Sequence, residues 1–511
     1  MIFGDWLGRR AQLSPERIAL IDAVNGDRPI TYRAWNRATN RAAHLLRAEG
    51  ITRGDRVAVL AKNCVEQLDL WFACGKLGAV LQPLNWRLTA PELAHLVARA
   101  RPAVLVYGPD FIPQVAALRA RPESACVRRW IALEPDHRTA PDDLLFSTRD
   151  ACPDTSPPPV DLGPDDPWVL CTTGGSTGLP KAAVLTHGNI TWNAINTVTS
   201  WGLAPDDVAI LNAPLFHTGG LNVFTSPLVH LGGTSIVCHD FSVDQVFDLL
   251  DRHPVTLFFG VPTMFLAMLE HPRFSRAPLD RLKLVISGGA PCPLPIFERY
   301  WARGVDSFKT GYGLTEAGPN TFWLPAHEVR QKPGAVGYPL MHIDIRILDD
   351  AGRDCAPGEI GELVIRGPHV CAGYWEDPEA TAAAIRDGWL HTGDLAERDE
   401  DGCVRIVGRA KDVIISGGEN IYPAEVESIL AAHPAVAEVA LIAVPDPRWG
   451  EVGRAVVVPR GDLDPESLLQ FARERLAKYK APRTVVMVEA LPRTTAGKID
   501  KRRLREDHGA N

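Results

Sequence analysis

The sequence of 511 residues is 46% hydrophobic and 23% charged, enough apolar material for more than one core, so two or more domains are expected. Its net charge of -8 comes without a basic block, which argues against nucleic acid as the principal partner, because phosphate-backbone binding needs clustered Lys and Arg. The first ten residues hold neither a signal core nor a spanning helix, so a cytoplasmic protein with no integral membrane association is expected, and the ten cysteines, scattered with no CxxC pair, fit reduced thiols better than disulfides or zinc.

In chain order, a helix over 32–49, a strand over 56–60, a helix over 64–77 and apolar runs at 79–84 and 103–106 alternate as in a largely parallel α/β sheet. Residues 134–167 are rich in Pro and Asp, with Pro157, Pro158 and Pro159 in a row, and predict an exposed connector between two lobes. Alternation resumes with strands at 208–211, 234–238, 256–259 and 284–287, and the Gly-Gly of 231–235 reads as a turn between two strands. Beyond about residue 334, short strands at 343–348, 361–365 and 404–407 predict a small β-rich subdomain. After an interruption at 408–412 come a helix at 424–432, a strand at 436–444, a helix at 464–478 and a strand at 483–488. The expected fold is α/β: a large domain over 1–410, made of parallel-sheet α/β subdomains plus the β-rich one, then a small mobile α+β domain over 411–511.

Residues 168–189 run from an apolar strand into a Thr/Gly/Ser loop, then a lysine, then a second apolar strand. Gly174, Gly175 and Gly178 let backbone N–H groups converge on an anion, Thr172, Thr173, Ser176 and Thr177 add hydroxyl donors, and Lys181 adds charge, so the loop suits a phosphate. It is not a Walker loop, since Leu179 and Pro180 separate Gly178 from Lys181 and a strand, not a helix, is expected to follow. Here the sequence resembles the adenylate-forming superfamily of acyl- and aryl-CoA synthetases, peptide-synthetase adenylation domains and firefly luciferase, over nearly its whole length. The superfamily pattern TSG[ST]TGxPKG matches residues 173–182 with two departures, Gly174 for Ser and Ala182 for Gly, which bear on ATP affinity rather than on reaction type.

The resemblance assigns further residues. The Gly311-Tyr-Gly-Leu-Thr-Glu316 run is similar to the second nucleotide motif, with Gly311, Tyr312 and Gly313 facing adenine, Thr315 at the α-phosphate and Glu316 holding phosphate-bound magnesium, to which Thr177 would also contribute. Gly289, Ala290 and Pro291, after an apolar strand, would flank adenine, and Asp394 and Arg409 would bind ribose. Lys411 falls at the hinge between domains. The run Pro492-Arg-Thr-Thr-Ala-Gly-Lys498 resembles the loop whose lysine screens the attacking carboxylate from the α-phosphate, although Lys498 also begins a cluster with Lys501, Arg502 and Arg503 that suits a solvated helix face. Gly417, Gly418 and Trp449 correspond to the coenzyme A tunnel.

His217, in Pro214-Leu-Phe-His217, resembles the acyl-pocket motif, and Val261, Gly289, Gly311 and Pro319 would shape that pocket with few charges, so the acid should be largely apolar. The expected activity is an ATP-, Mg2+- and coenzyme A-dependent acid–CoA ligase acting on a medium- or long-chain fatty acid. An aryl or cinnamate-type acid, or loading of a free carrier protein, is the alternative; a catalytically inactive nucleotide sensor is the reading from a different class. An amino-acid substrate is disfavoured, since no Asp near His217 offers a partner for an amine. The sequence does not specify an oligomeric state, and a homodimer would be unsurprising.

Overall fold

Short runs such as Arg56–Leu60 and Val104–Tyr107 are apolar on both faces, and they become interior strands of a parallel sheet covered by helices on each side. The structure, a computed structural model, describes residues 3–173, 180–494 and 498–509. It contains two seven-stranded sheets. In one, Leu144–Leu145, Arg129–Ala132, Val104–Tyr107, Arg56–Leu60, Val80–Pro83 and Pro167–Thr173 run parallel, and Lys181–Thr186 turns back antiparallel on the last. In the other, Phe308–Thr310, Leu284–Ser287, Leu257–Gly260, Val208–Leu211, Thr234–Val237 and Ile18–Asp22 run parallel, and Arg28–Thr31 closes the edge as a hairpin. A five-stranded antiparallel sheet follows, built on Gly361–Arg366 and Trp389–Arg398, as the spacing of turn residues beyond 334 predicts.

Two expectations are corrected. Residues 134–167 are not simply an exposed connector: Leu144–Leu145 extends a sheet, Phe146 is buried, and Arg149 pairs with the fully buried Asp69. A carboxylate in that place needs a cation; burial pushes the Asp69 pKa up to about 6 even with Arg149 opposing. Nor does this segment separate the lobes, because Leu20 pairs with Ser235, so the first strands of the chain complete the second sheet. The Gly232-Gly233 turn follows a helix, Thr225–Leu231, whose left-handed cap is Gly232 at φ 98°.

From residue 414 a third unit forms around its own core of Ile414, Val426, Leu441, Val457 and Leu468. Its sheet is organised on Gly450–Pro459, which pairs with Val436–Asp446 over its whole length. Neither Gly450–Pro459 nor the hairpin Ile414–Ser416/Glu419–Ile421 was in the expected pattern. Gly417 and Gly418 make the two-residue turn of that hairpin, both at positive φ, which a side chain would strain. Among the described residues no helix is long and apolar enough to cross a membrane.

Lys309, in the edge strand Phe308–Thr310, is 3% exposed. Its ammonium donates to the Leu324 carbonyl and lies 3.0 Å from the centre of the Trp323 ring. Burial lowers its pKa to about 7. Between about pH 7 and the ordinary lysine value the unfolded chain therefore holds a proton that the folded chain has released, and stability rises with pH across that window. Lys309→Met should raise neutral-pH stability by on the order of 1–2 kcal/mol and flatten that rise relative to wild type, as read by denaturant melts at pH 7 and pH 9.5; an unchanged slope would show that Lys309 stays charged in the fold.

Candidate active site

Several candidate residues follow the carboxyl ends of parallel strands, the usual place for a ligand cleft in such sheets. Leu284–Ser287 ends in Gly288 and Gly289, and the adjacent Phe308–Thr310 ends in Gly311, whose N–H donates to the Ser287 carbonyl at 2.8 Å. A side chain at Gly311 would meet Ile286 Cγ2 at 2.5 Å, and one at Gly313 would meet the Pro319 backbone at 2.3 Å, so this floor is closed to anything but glycine. A side chain at Gly289, whose φ is 80°, would lie 3.5 Å from Val261 Cγ1, and Ala290 and Pro291 continue as an exposed lip. Beneath the loop, Asn320 Nδ2 donates to Thr197 Oγ1 and to the carbonyls of Asn222 and Val223, while Asn193 Nδ2 donates to the Asn222 carbonyl. This buried amide network pins residues 311–320 to the helix His187–Trp201.

Tyr312 presents its ring to the cleft against Phe322 and donates its hydroxyl to Asp394 Oδ2 at 2.6 Å. Asp394 lies on Trp389–Arg398 directly opposite Arg409 on Val404–Arg409, and Arg409 Nε reaches its other oxygen at 2.6 Å. The carboxylate is 5% exposed; burial raises its pKa, while Arg409 and then the Tyr312 hydroxyl favour the charged form. Both candidate ribose residues therefore meet at one point, with the candidate adenine face attached to them.

Lys498 is carried into the same cleft by the C-terminal unit. Thr494 N–H donates to its carbonyl at 2.7 Å, which fixes the turn behind it. The residue is exposed to solvent. Partial loss of hydration and the Arg409 guanidinium lower its pKa, and the carboxylates of Asp394 and Glu316 oppose that. His217 feels Lys498 as well: burial first, then Arg87 and Lys498, bring its pKa down to about 4, so it is neutral at physiological pH. Its Nε2 is buried without a partner among the described residues, the condition of a group left for a ligand. Thr315 bonds the buried Cys171 thiol at the base of the cleft.

Lys181 extends from Lys181–Thr186 over the ring of Tyr374, 5.2 Å from its centre, and Tyr374 donates its hydroxyl to Glu316 Oε1 at 2.8 Å. Thr173 ends the strand Pro167–Thr173 at the same edge. Gly174, Gly175, Ser176, Thr177 and Gly178 lie outside the described residues. Lys411 is exposed in the single turn Ala410–Asp412 that follows Arg409. Gly417, Gly418 and Trp449 do not join the cluster; they group on the C-terminal unit, where the half-exposed Trp449 packs on Gly417 with Arg448 and Arg483 beside its ring.

Three residues near the site escape the sequence reading: Tyr374, Arg87 and Phe259. Phe259 is wedged between the His217 loop and the glycine lip, because side chains at Gly219 and Gly288 would lie 3.2 and 3.0 Å from its ring. Arg87 stacks over Trp86 and Phe216. Each looks locally like an ordinary core aromatic or surface arginine, and only long-range packing brings it here.

Residues 7–375 match the AMP-binding enzyme family and residues 425–498 the AMP-binding enzyme C-terminal domain. The chain is 44% identical over 508 residues to a feruloyl-CoA synthase of an Amycolatopsis species, with 99% of each covered. It is 38% identical over 515 residues to an indoleacetate–CoA ligase of Aromatoleum aromaticum, with 99% of this chain and 98% of that one covered. Among solved structures it is similar to ATP-bound MatB from Rhodopseudomonas palustris, at 34% identity and a TM-score of 0.90 over 99% of each chain.

Removing only the hydroxyl in Tyr312→Phe keeps the ring and releases one side of Asp394. ATP affinity measured by calorimetry should fall about three- to tenfold, with a larger loss for Asp394→Ala; equal affinities would detach the Tyr312–Asp394 pair from nucleotide binding.

Proposed function

The chain belongs to the AMP-binding enzyme family, in the acyl-CoA synthetase branch of the adenylate-forming superfamily, and from that premise we propose that it is an AMP-forming acid–CoA ligase acting on a compact aryl acid. The observation that carries the reading is the entry of Lys498 into the field of Glu316, Asp394, Arg409 and His217. A basic helix face in solvent would have no such neighbours, and a sensor without chemistry would have no need of a lysine there.

In this reading adenine lies against Tyr312 beside residues 289–291, Asp394 accepts the ribose hydroxyls while Arg409 holds it charged, and the triphosphate runs over residues 173–178 toward Lys181. Thr315 reaches the α-phosphate. Glu316 is the residue that would hold magnesium. Among the described residues no cluster of three or more His, Cys, Asp and Glu forms a cage, so the ion would rely mainly on phosphate oxygens, which is magnesium's habit. Bound there, it would neutralise charge on the departing pyrophosphate. The substrate carboxylate, directed by the pocket around His217, attacks the α-phosphorus, and the bond to the bridging oxygen breaks with its electron pair on pyrophosphate. Lys498 sits between two anions that repel each other and offsets the charge that grows as they join.

The unit over 411–511 then turns about Lys411, withdrawing Lys498 and bringing the Gly417–Gly418 turn and Trp449 toward the cleft. The thiol of coenzyme A attacks the acyl carbon, its proton passes to solvent, and AMP leaves. A free carrier protein is the alternative acceptor.

Sequence reading alone puts a medium- or long-chain fatty acid first and an aryl acid second. Two observations favour the aryl acid. The feruloyl and indoleacetate relatives act, by their names, on ring-bearing acids. Phe259 also packs beside Gly219, two residues after His217, and the cavity that it lines with Ala209, Ala213, Val223, Thr225 and Ser235 has a volume of about 10 Å³, room for about one water. A long alkyl chain finds no depth in that direction.

Carboxylate-dependent ATP–pyrophosphate exchange over hydroxycinnamates, arylacetates and C8 to C16 fatty acids tests both levels. Aryl acids should show kcat/KM at least tenfold above the fatty acids, and Phe259→Ala should narrow or invert that ratio; a fatty acid as best substrate of the wild type would restore the other reading. Lys498→Ala should cut exchange by about 10²- to 10³-fold while thioester formation from supplied acyl-adenylate stays within a few-fold, and equal loss in both steps would make Lys498 structural.

A further inference from the structure

Residues 371–375 act as an additional strand on the edge carrying Lys181. Ala372 N–H donates to the Val184 carbonyl at 3.0 Å, Val184 N–H to Gly373 at 2.9 Å, and Trp375 N–H to Ala182 at 2.8 Å, so that Ala183 and Tyr374 face each other as antiparallel partners. The same segment holds the other motif, because Cys371 N–H donates to the Glu316 carbonyl at 2.7 Å. Its approach is set from behind: Asn189 Nδ2 donates to the carbonyls of Val370 at 2.6 Å and Pro368 at 3.0 Å, and Tyr374 N–H donates to Thr381 Oγ1 at 2.9 Å.

The side chain of Tyr374 stands where these backbone ties converge. Its hydroxyl donates to Glu316 Oε1 at 2.8 Å and its ring lies beneath the Lys181 ammonium. Among the described residues Lys181 and Glu316 form no ion pair with each other, although one ring touches both. An ammonium and a carboxylate free to approach each other would pair and cancel. The ring holds the cation by its face and the hydroxyl occupies one carboxylate oxygen, so the amine stays available for phosphate and the second oxygen for a divalent cation. Packing alone would call for the ring and not for a hydroxyl aimed at a carboxylate.

We infer that Tyr374 is a positioning residue that keeps Lys181 and Glu316 apart and oriented for the phosphates and magnesium of ATP, an assignment that rests on the proposed function.

Calorimetry of ATP binding to the full chain, with and without magnesium, tests it without requiring any acid. Magnesium should tighten ATP binding to wild type. Tyr374→Phe, which keeps the ring, should lose about tenfold of that magnesium-dependent gain and keep its magnesium-free affinity, whereas Tyr374→Leu should lose affinity in both conditions because the face beneath Lys181 is gone. Melting temperatures of the two variants are compared in parallel. A full magnesium gain in Tyr374→Phe, or equal losses in both variants that follow a lowered melting temperature, would overturn the assignment. Pyrophosphate exchange by wild type separates the two claims: exchange together with a full magnesium gain in Tyr374→Phe refutes only the positioning role, and its absence with every acid refutes the ligase reading while the calorimetric result still decides the role of Tyr374.

Discussion

The carboxylate of Asp394 is the point on which the site is assembled. It is nearly shut off from water, which disfavours its charge, and Arg409 and Tyr312 oppose that by meeting it from two sides. Those partners belong to different layers: Tyr312 follows the last strand of a parallel sheet, Arg409 and Asp394 face each other across an antiparallel one, and Lys498 arrives from the C-terminal unit. A buried charge that Tyr312 and Arg409 both help to satisfy fixes their two layers relative to each other, since withdrawing either partner exposes the cost of a poorly paired anion. Arg409 is also the final residue of its strand before the turn at Ala410–Asp412, so the Asp394 cluster and the start of the C-terminal unit share a residue.

Much of the fold was legible because its interior strands are short, apolar and separated by amphipathic helices; Val104–Tyr107 and Tyr32–Ala48 fall close to where periodicity places them. The candidate site was legible where glycine reported a steric limit, as at Gly311 and Gly313, whose missing side chains the packing requires. What escaped was long-range. The pairing of Leu20 with Ser235 has no local signal, and the buried Asp69–Arg149 pair turned a stretch that reads as connector into part of a core. Gly450–Pro459 was hidden because Gly450, Glu451, Gly453 and Arg454 break up its first half, although its middle is buried. Tyr374 and Phe259 look like any half-buried aromatic until the segments packed on them are known.

The charges in the cleft are balanced locally and not simply accumulated. Arg409 serves Asp394, Lys181 rests on a ring, Lys498 is pulled one way by Arg409 and the other by two carboxylates, and His217 remains neutral beside them. In the proposed reading such a cleft offers positive potential to polyphosphate, with Arg409 already paired to Asp394 at the end assigned to ribose. Moving Lys498 out would change that potential at a single place.

The last helix, Lys501–His508, has a place in this arrangement that its surface charge conceals. Arg505 reaches Asp412 at 2.6 Å, next to Lys411, and Lys501 reaches Glu427 at 2.6 Å on the first helix of the C-terminal unit. The C-terminal end of the helix is thus clasped to the stem from which the unit emerges. A fluorophore placed on an exposed residue of this helix would therefore report on the stem itself, where the C-terminal unit emerges.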